Sequence, residues 1–88
     1  MYIVRLSTRA QKSLRKYGRS GSFPQDKFEQ GLSCLQEGKV LPASFRDHSL
    51  KGDLAAYREF HIAANILVQY EVDTTEEIIV IRKIGKRK

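Results

Sequence analysis

The sequence has few of the residues that form covalent or metal cross-links. Its 88 residues include one cysteine, two histidines and no tryptophan. One cysteine excludes an intrachain disulfide and a metal site built from several thiolates. No stretch is apolar over the length of a secretory signal or a membrane span, so we expect neither. We therefore expect a cytoplasmic protein that needs no oxidising environment.

Acidic residues are also scarce relative to basic ones. Ten Asp and Glu stand against sixteen Lys and Arg, which gives a formal net charge of +6. A small basic protein attracts polyanions such as nucleic acids, because its field and its cations both favour phosphate. The alternative is a basic surface that only keeps the protein soluble. The length allows one small domain, which we expect to span residues 1–88.

The pattern of apolar residues predicts an α+β fold with both helices on one face of a sheet. The order is strand, helix, helix and three further strands, and we expect the other sheet face to be open for a partner. Ser7 or Thr8 caps the first helix, and Gly38 ends the second. The predicted bounds are a strand at 2–6, a helix broken by residues 18–22, a helix that begins at residues 22–24, a loop at 40–53, and strands at 54–63, 66–72 and 77–84.

The predicted strand 54–63 carries chemically useful side chains on one face. Side chains alternate along a strand, so Glu59 and His61 share one face while Phe60 and Ile62 point to the core. A carboxylate beside an imidazole can orient the ring and hold its proton, which suits acid–base catalysis. We therefore expect Glu59 and His61 to lie on the open face. The alternative is an exposed strand that carries ordinary polar residues.

The other histidine, His48, follows Asp47 in the predicted loop, and Lys51 comes shortly after it. Loops often carry functional residues, and an ammonium group there can hold a phosphate. The alternative is a solvated loop histidine. The two histidines have no third ligand at the spacing of a metal site, so we expect neither a metal nor any other cofactor. A basic cluster follows the last strand and consists of Lys83, Lys86, Arg87 and Lys88.

Two separated histidine motifs lie in the segment 45–70. They read R-D-H-x-L-x-G at residues 46–52 and Y-R-E-x-H-I at residues 57–62, and a hydrophobic strand that ends in Tyr70 follows. This pattern resembles the RelE/YafQ family of bacterial toxins, most closely its YafQ-like members. The resemblance implies the RelE-like fold, in which a helical hairpin packs on one face of a mainly antiparallel sheet.

The resemblance also implies a reaction and a site. YafQ-like toxins cleave mRNA on the ribosome, through attack of a 2′-hydroxyl on its own phosphate and without a metal. The matching motifs assign catalysis to His48, Glu59 and His61, and a C-terminal G-K-R like that of RelE adds Arg87. The expected RNA or phosphate contacts are Lys51, Arg58, Asn65, Lys83 and Lys86.

The resemblance further implies partners, namely a cognate acidic antitoxin in a hetero-oligomer and the ribosome with its mRNA. We expect no membrane partner. Two motifs depart from the family pattern: Asn65 replaces an aspartate, and Gly85-Lys86-Arg87 stands where YafQ-like chains have G-[TS]-H. Two alternatives therefore stay open. One is a catalytically weak or inactive module of the same fold that binds RNA or antitoxin, and the other is a ParE-like gyrase poison.

Overall fold

A computed structural model of the chain describes residues 1–52 and 56–86. In this part of the chain, two helices pack on one face of a five-stranded sheet, which confirms the predicted α+β class. The elements are β1 Ile3–Leu6, α1 Thr8–Ser20, α2 Gln25–Gln36, a 3-10 turn at Ala43–Phe45, β2 His48–Ser49, β3 Tyr57–Ala63, β4 Ile66–Asp73 and β5 Ile78–Lys86.

Helix α1 begins where the sequence predicts and ends within the predicted break. The Ser7 hydroxyl accepts a hydrogen bond from the Ala10 amide at 3.1 Å, which caps the helix. The predicted break over residues 18–22 is confirmed, because the helix ends at Ser20. A single glycine costs a helix only about 1 kcal/mol relative to alanine, so Gly18 does not end it. The chain leaves the helix at Gly21, whose φ of 72° is left-handed.

Helix α2 has the predicted boundaries. Pro24 precedes the first helical residue, and its carbonyl accepts a hydrogen bond from the Phe28 amide at 3.1 Å. After the helix, the Gly38 amide donates to the Leu35 carbonyl at 3.1 Å, and Gly38 adopts a left-handed φ of 71°. No helix within residues 1–52 and 56–86 is long and apolar enough to cross a membrane.

The strands lie in the order β1-β5-β4-β3-β2. The β1–β5 pair is parallel and the other pairs are antiparallel, as expected for a mainly antiparallel sheet. Strand β5 therefore lies inside the sheet, in agreement with its continuous apolar run.

The predicted loop at 40–53 is wrong in part, because it contains the 3-10 turn and strand β2. His48 and Ser49 pair with Glu59 and Arg58 of β3. A strand of two residues is too short to produce a periodic pattern in the sequence. Strand β3 begins at Tyr57. Residue 53 of the predicted loop and residues 54 and 55 of the predicted strand lie outside the described part of the chain.

The core lies between the helices and one face of the sheet. Phe60, Val68, Tyr70 and Ile81 are at most 1% exposed there. The helices contribute Ala10, Phe28 and Leu35 to the same core. Because side chains alternate along β3, the residues on either side of Phe60 point to the opposite face.

Helix α2 approaches β3 closely at Gly31. A Cβ atom at this position would lie 2.8 Å from Cε1 of Phe60 and 3.2 Å from Cε2 of Phe45. The Phe60 ring has little room to move, because its centroid lies 5.8 Å from the centroids of both Phe45 and Tyr70. Glycine at this position therefore allows the helix to lie directly over the strand that carries Glu59 and His61.

We predict that Gly31→Ala destabilises the protein, whereas Gly18→Ala in helix α1 stabilises it. A Cβ at Gly18 meets no atom within 4 Å, so alanine gains about 0.5–1 kcal/mol in helix propensity. At Gly31 the same gain is opposed by overpacking of about 1–3 kcal/mol. Urea unfolding of the two variants and the unchanged protein measures both effects. An unfolding midpoint for Gly31→Ala at or above that of the unchanged protein would contradict the packing argument.

Candidate active site

The pairing of β2 with β3 brings three polar side chains together. His48 lies opposite Glu59 in the antiparallel register, and His61 follows two residues later on the same face of β3. The His48 Nε2 atom is 3.1 Å from Oε2 of Glu59. The two imidazole rings are stacked, with centroids 6.0 Å apart and an angle of 27° between their planes. We call His48, Glu59 and His61 the polar trio.

The members of the polar trio differ in exposure. Glu59 and His61 point away from the core, as the alternation predicts, but they are only 6% and 5% exposed. The expectation that they lie on an open surface is therefore wrong in this respect. The side chain of His48 is 47% exposed. A ligand can consequently approach the trio from the side of His48, while the other two groups are held in a drier environment.

The two contacts of His48 orient its ring. Nδ1 is 2.7 Å from the carbonyl oxygen of Arg46, and a carbonyl oxygen can only accept a hydrogen bond, so this contact uses the tautomer with a proton on Nδ1. Nε2 lies 3.1 Å from the Glu59 carboxylate, a distance at which the two groups can share a proton when one is present. The pair can thus serve in proton transfer at the exposed edge of the site.

The backbone at Arg46 directs its carbonyl toward the ring of His48. Arg46 has φ 51° and ψ 44°, a left-handed conformation that is uncommon for a residue with a side chain. Such strained residues persist only where the surrounding structure holds them in place, and they occur frequently at functional sites. The sequence gives no signal of this feature, because glycine and asparagine are the residues that usually indicate left-handed backbone.

A second polar cluster holds the residues on both sides of His48. The Tyr70 hydroxyl donates to Oδ1 of Asp47 at 2.8 Å, and Nε of Arg58 donates to the same oxygen at 3.3 Å. A terminal nitrogen of Arg58 also donates to the Ser49 hydroxyl at 2.9 Å. We call Asp47, Ser49, Arg58 and Tyr70 the clamp. It attaches β2 to the sheet and thereby fixes the position of His48.

Arg58 does not belong to the polar trio, although the sequence analysis assigned it a phosphate contact. It lies opposite Tyr70 in β4 and therefore points to the core side of the sheet, away from Glu59 and His61. Its guanidinium binds Asp47 and Ser49 instead. The phosphate contact of Arg58 stays a prediction, and in the structure the side chain of Arg58 holds the clamp together.

The environment of Tyr70 keeps its hydroxyl protonated. Burial raises the pKa of Tyr70 above its usual range, and the hydrogen bond to Asp47 raises it further. Tyr70 is only 1% exposed, so the clamp has a permanent donor at its buried end. Sequence reasoning identified Tyr70 only as the end of a hydrophobic strand, and its hydroxyl partner depends on a contact across 23 residues of sequence.

The predicted cations lie around the polar trio at different distances. Lys83 lies opposite Gln69, which in turn lies opposite Glu59, so these three share one face of the sheet. Two strand spacings separate the backbones of Lys83 and Glu59, which is roughly 10 Å. Lys51 is exposed in the chain just after β2. Arg87 lies outside the described part of the chain.

Lys86 and Asn65 line an open cleft at the turn between β3 and β4. Lys16 and Arg19 of helix α1 line the same cleft. The sequence analysis recognised the basic character of α1 but did not connect it with this turn, because the contact depends on how the helix packs across the sheet. The cleft offers cations for a polyanion that extends beyond the trio.

The fold also supplies a third metal-ligating group, which the sequence analysis did not find beside the histidines. One ligand atom from each of His48, Glu59 and His61 lies within 4.8 Å of the other two. Spacing along the chain missed this group, since Glu59 and His48 become neighbours only through strand pairing.

Comparison with known proteins identifies what this architecture is similar to. The family model described as a bacterial toxin of a type II toxin–antitoxin system, YafQ, matches residues 2–88. A search of curated protein sequences gives no match.

Solved structures share the fold at low identity. A copper-bound variant of a toxin from Helicobacter pylori has 24% identity and a TM-score of 0.89, with 99% of this chain and 96% of that chain covered. YafQ from Escherichia coli has 18% identity and a TM-score of 0.83, with 99% and 94% covered. A chain of the E. coli DinJ–YafQ toxin–antitoxin complex has 19% identity and a TM-score of 0.83, with 97% and 91% covered.

We predict that Tyr70→Phe destabilises the protein by about 1.5–3 kcal/mol, because Asp47 loses a hydrogen bond in a partly buried position. Tyr57→Phe in the same sheet is the matched control, since the Tyr57 hydroxyl makes no hydrogen bond within the described residues and its loss should change stability by about 0.5 kcal/mol or less. Urea unfolding measures both. Equal unfolding midpoints for the two variants would show that the clamp contributes nothing to stability.

Proposed function

The chain belongs to the YafQ family of type II toxin–antitoxin toxins, and on this basis we propose that it is an mRNA endoribonuclease that acts on the ribosome and stops translation. The observation that supports this proposal most is the 3.1 Å contact between Nε2 of His48 and Oε2 of Glu59, directly beside the second imidazole. Acid–base cleavage of RNA needs one group that donates a proton and another that accepts one. The polar trio offers both within one site.

The proposed reaction uses the ribose of the substrate as its nucleophile. A base removes the proton of the 2′-hydroxyl, and the 2′ oxygen forms a bond to the adjacent phosphorus. The bond between phosphorus and the 5′ oxygen breaks, and an acid protonates that oxygen as it leaves. The products are a 2′,3′-cyclic phosphate and a 5′-hydroxyl end. Both protons return through solvent, so no oxidant, reductant or metal enters the balance.

We assign the acid to His48 and the base to His61. His48 lies 3.1 Å from the carboxylate of Glu59 and is the exposed member of the trio, so it can reach the leaving oxygen of a bound RNA. Glu59 orients the His48 ring and stabilises its protonated form. The ring nitrogens of the two histidines lie close enough to serve the attacking and leaving oxygens of one phosphate. General acid and general base catalysis each contribute roughly 10²–10⁴-fold.

The cations around the trio would bind the RNA backbone. They would also stabilise the negative charge that develops at the reacting phosphate. Lys83 shares a face with Glu59, and Lys51 follows β2, so both are suited to the phosphate at the reacting position. The cleft that contains Lys86 and Asn65 is suited to the RNA that continues beyond it. We retain Arg87 as a proposed transition-state contact on the strength of the family motif alone.

The proposed partners follow from the family and from the charge. The related E. coli protein forms a complex with DinJ that is described as a toxin–antitoxin complex. A net charge of +6 favours an acidic antitoxin, and it also favours ribosomal RNA. We therefore propose a cytoplasmic toxin, with a domain that spans residues 1–88 and is held in a hetero-oligomer until it reaches the ribosome.

We predict that His61→Ala and His48→Ala each lower mRNA cleavage by roughly 10²–10⁴-fold, because each removes one proton-transfer group. Primer extension on mRNA in a purified translation system gives the cleavage rate, and co-sedimentation with ribosomes gives binding. Lys39→Ala, an exposed position in the chain after α2, is the control that should cleave normally. Full cleavage by His61→Ala would contradict the assignment. Ribosome binding without cleavage by the unchanged protein would favour the non-catalytic module.

A modified substrate separates the acid from the base. An mRNA with a bridging 5′-sulfur at the mapped cleavage position has a leaving group that needs no proton. We predict that this substrate restores cleavage by His48→Ala to within about tenfold of the unchanged protein, since the missing general acid accounts for its defect. His61→Ala should gain little, because the 2′ oxygen still needs a base. Rescue of His61→Ala instead would reverse the two roles.

A further inference from the structure

A second cleft lies beside the polar trio, over strands β3, β4 and β5. Its volume is about 350 Å³, which suits a single small ligand. The cleft, which we call the base cleft, is lined by Ser7, Arg9, Tyr57, Gln69, Arg82 and Lys83. We propose that the base cleft binds the nucleotide adjacent to the cleaved phosphate and that Gln69 selects its base. The proposal rests on the proposed function, since it takes RNA as the ligand.

The base cleft adjoins the polar trio through the strand register. Gln69 lies directly opposite Glu59, and Tyr57 precedes Glu59 by two residues on the same face of β3. The cleft that contains Asn65 and Lys86 lies at the other end of β3, at its turn into β4. An RNA strand that crosses the trio therefore passes from one cleft to the other.

A β-bulge in β5 shapes the base cleft. Arg82 is the extra residue of β5 between the partners of Tyr70 and Gln69. A bulge of this kind redirects side chains, so the consecutive residues Arg82 and Lys83 both line the cleft, although a regular strand would send them to opposite faces. The Ser7 hydroxyl donates to the carbonyl of Arg82 at 3.0 Å. The residue that caps helix α1 therefore also holds the bulge.

The cations of the base cleft have different roles. Nε of Arg82 donates to Oε1 of Glu71 at 2.7 Å, so its charge is already paired and its side chain forms a fixed wall. Arg9 and Lys83 form no ion pair within residues 1–52 and 56–86. These two cations are available to the phosphate of a bound nucleotide.

The other side chains of the base cleft suit a nucleobase. Tyr57 and Gln69 are diagonal neighbours across β3 and β4, a spacing of roughly 7–8 Å that aromatic and long side chains can bridge. A base stacked on the Tyr57 ring would present its edge to the Gln69 amide, which has both a donor and an acceptor. An acidic peptide would use the cations but neither the aromatic face nor the amide, so the composition of the cleft favours single-stranded RNA.

A short RNA with 2′-O-methyl groups at every position tests binding apart from cleavage, because its 2′ oxygens have no proton to lose. The fluorescent base 2-aminopurine, placed at each position in turn, loses emission where it stacks. We expect quenching at one position in the unchanged protein and in Tyr57→Phe, which keeps the ring. Tyr57→Ala should lose this quenching and bind the RNA roughly 5–100-fold more weakly. Circular dichroism checks that each variant folds.

The salt dependence of the same binding tests the phosphate contact. Arg9→Gln removes one cation of the base cleft, and the slope of log affinity against log salt should fall by about 0.7. Arg15→Gln is the matched control, because Arg15 is an exposed cation of the same helix that does not line the cleft. Equal slopes for the two variants would contradict the contact.

Base selection is measured by placing each of the four bases at the quenched position. The unchanged protein should discriminate between the best and the worst base by roughly 5–100-fold. Gln69→Leu, which keeps a similar size without the amide, should bind all four RNAs within about twofold of one another. In the translation system, the preferred base should stand next to the cut, and Gln69→Leu should remove that preference while cuts continue.

The outcomes are distinct. Quenching that requires the ring at position 57, together with discrimination that requires Gln69, supports the base cleft. No binding of the RNA, or equal quenching in Tyr57→Ala, overturns it. Discrimination that persists in Gln69→Leu overturns the selective role of Gln69, and a preferred base distant from the cut overturns the adjacent position. A protein that binds RNA in this way but never cleaves contradicts the proposed function, while the binding measurements still decide the cleft.

Discussion

The site depends on the pairing of a two-residue strand with the edge of a longer one. Without the register of His48 opposite Glu59, the chain would present one histidine in a loop and another on a strand with no chemical relation between them. The backbone bonds of two residues are a weak restraint, since short strands gain little from pairing alone. The clamp supplies the remaining restraint, because it ties Asp47 and Ser49 to Arg58 and Tyr70 on the core side of the same strands. Contacts on the core face of the sheet thus fix the position of His48 on the opposite face.

The parts of this structure that the sequence predicts are those with a local physical cause. The cap at Ser7, the stop at Gly38 and the alternation that sends Phe60 inward all depend on neighbouring residues. Strand β2, the burial of Glu59 and the role of Arg58 depend on residues 9 to 23 positions away, and no periodicity in the sequence records them. The same applies to the metal-ligating geometry, which strand pairing creates from residues that are far apart along the chain.

Electrostatics explains why a carboxylate can remain buried in a basic protein. An ionised group out of water is costly unless it is paired and hydrogen-bonded, and Glu59 meets His48 at 3.1 Å. The contact with His48 therefore also holds the buried carboxylate in place, and a substitution of Glu59 that removes its charge removes this contact.

The position of β5 has a consequence for how the sheet folds. Among the described strands, β5 lies between β1 and β4 and is the only connection in the sheet between the N-terminal strand and strands β4, β3 and β2. The sheet is therefore completed only when β1 and β5 meet, and these strands are separated by most of the sequence. Contacts between residues so far apart along the chain are slow to form. Loss of the β1–β5 pairing would leave the N-terminal strand with no neighbour in the described sheet.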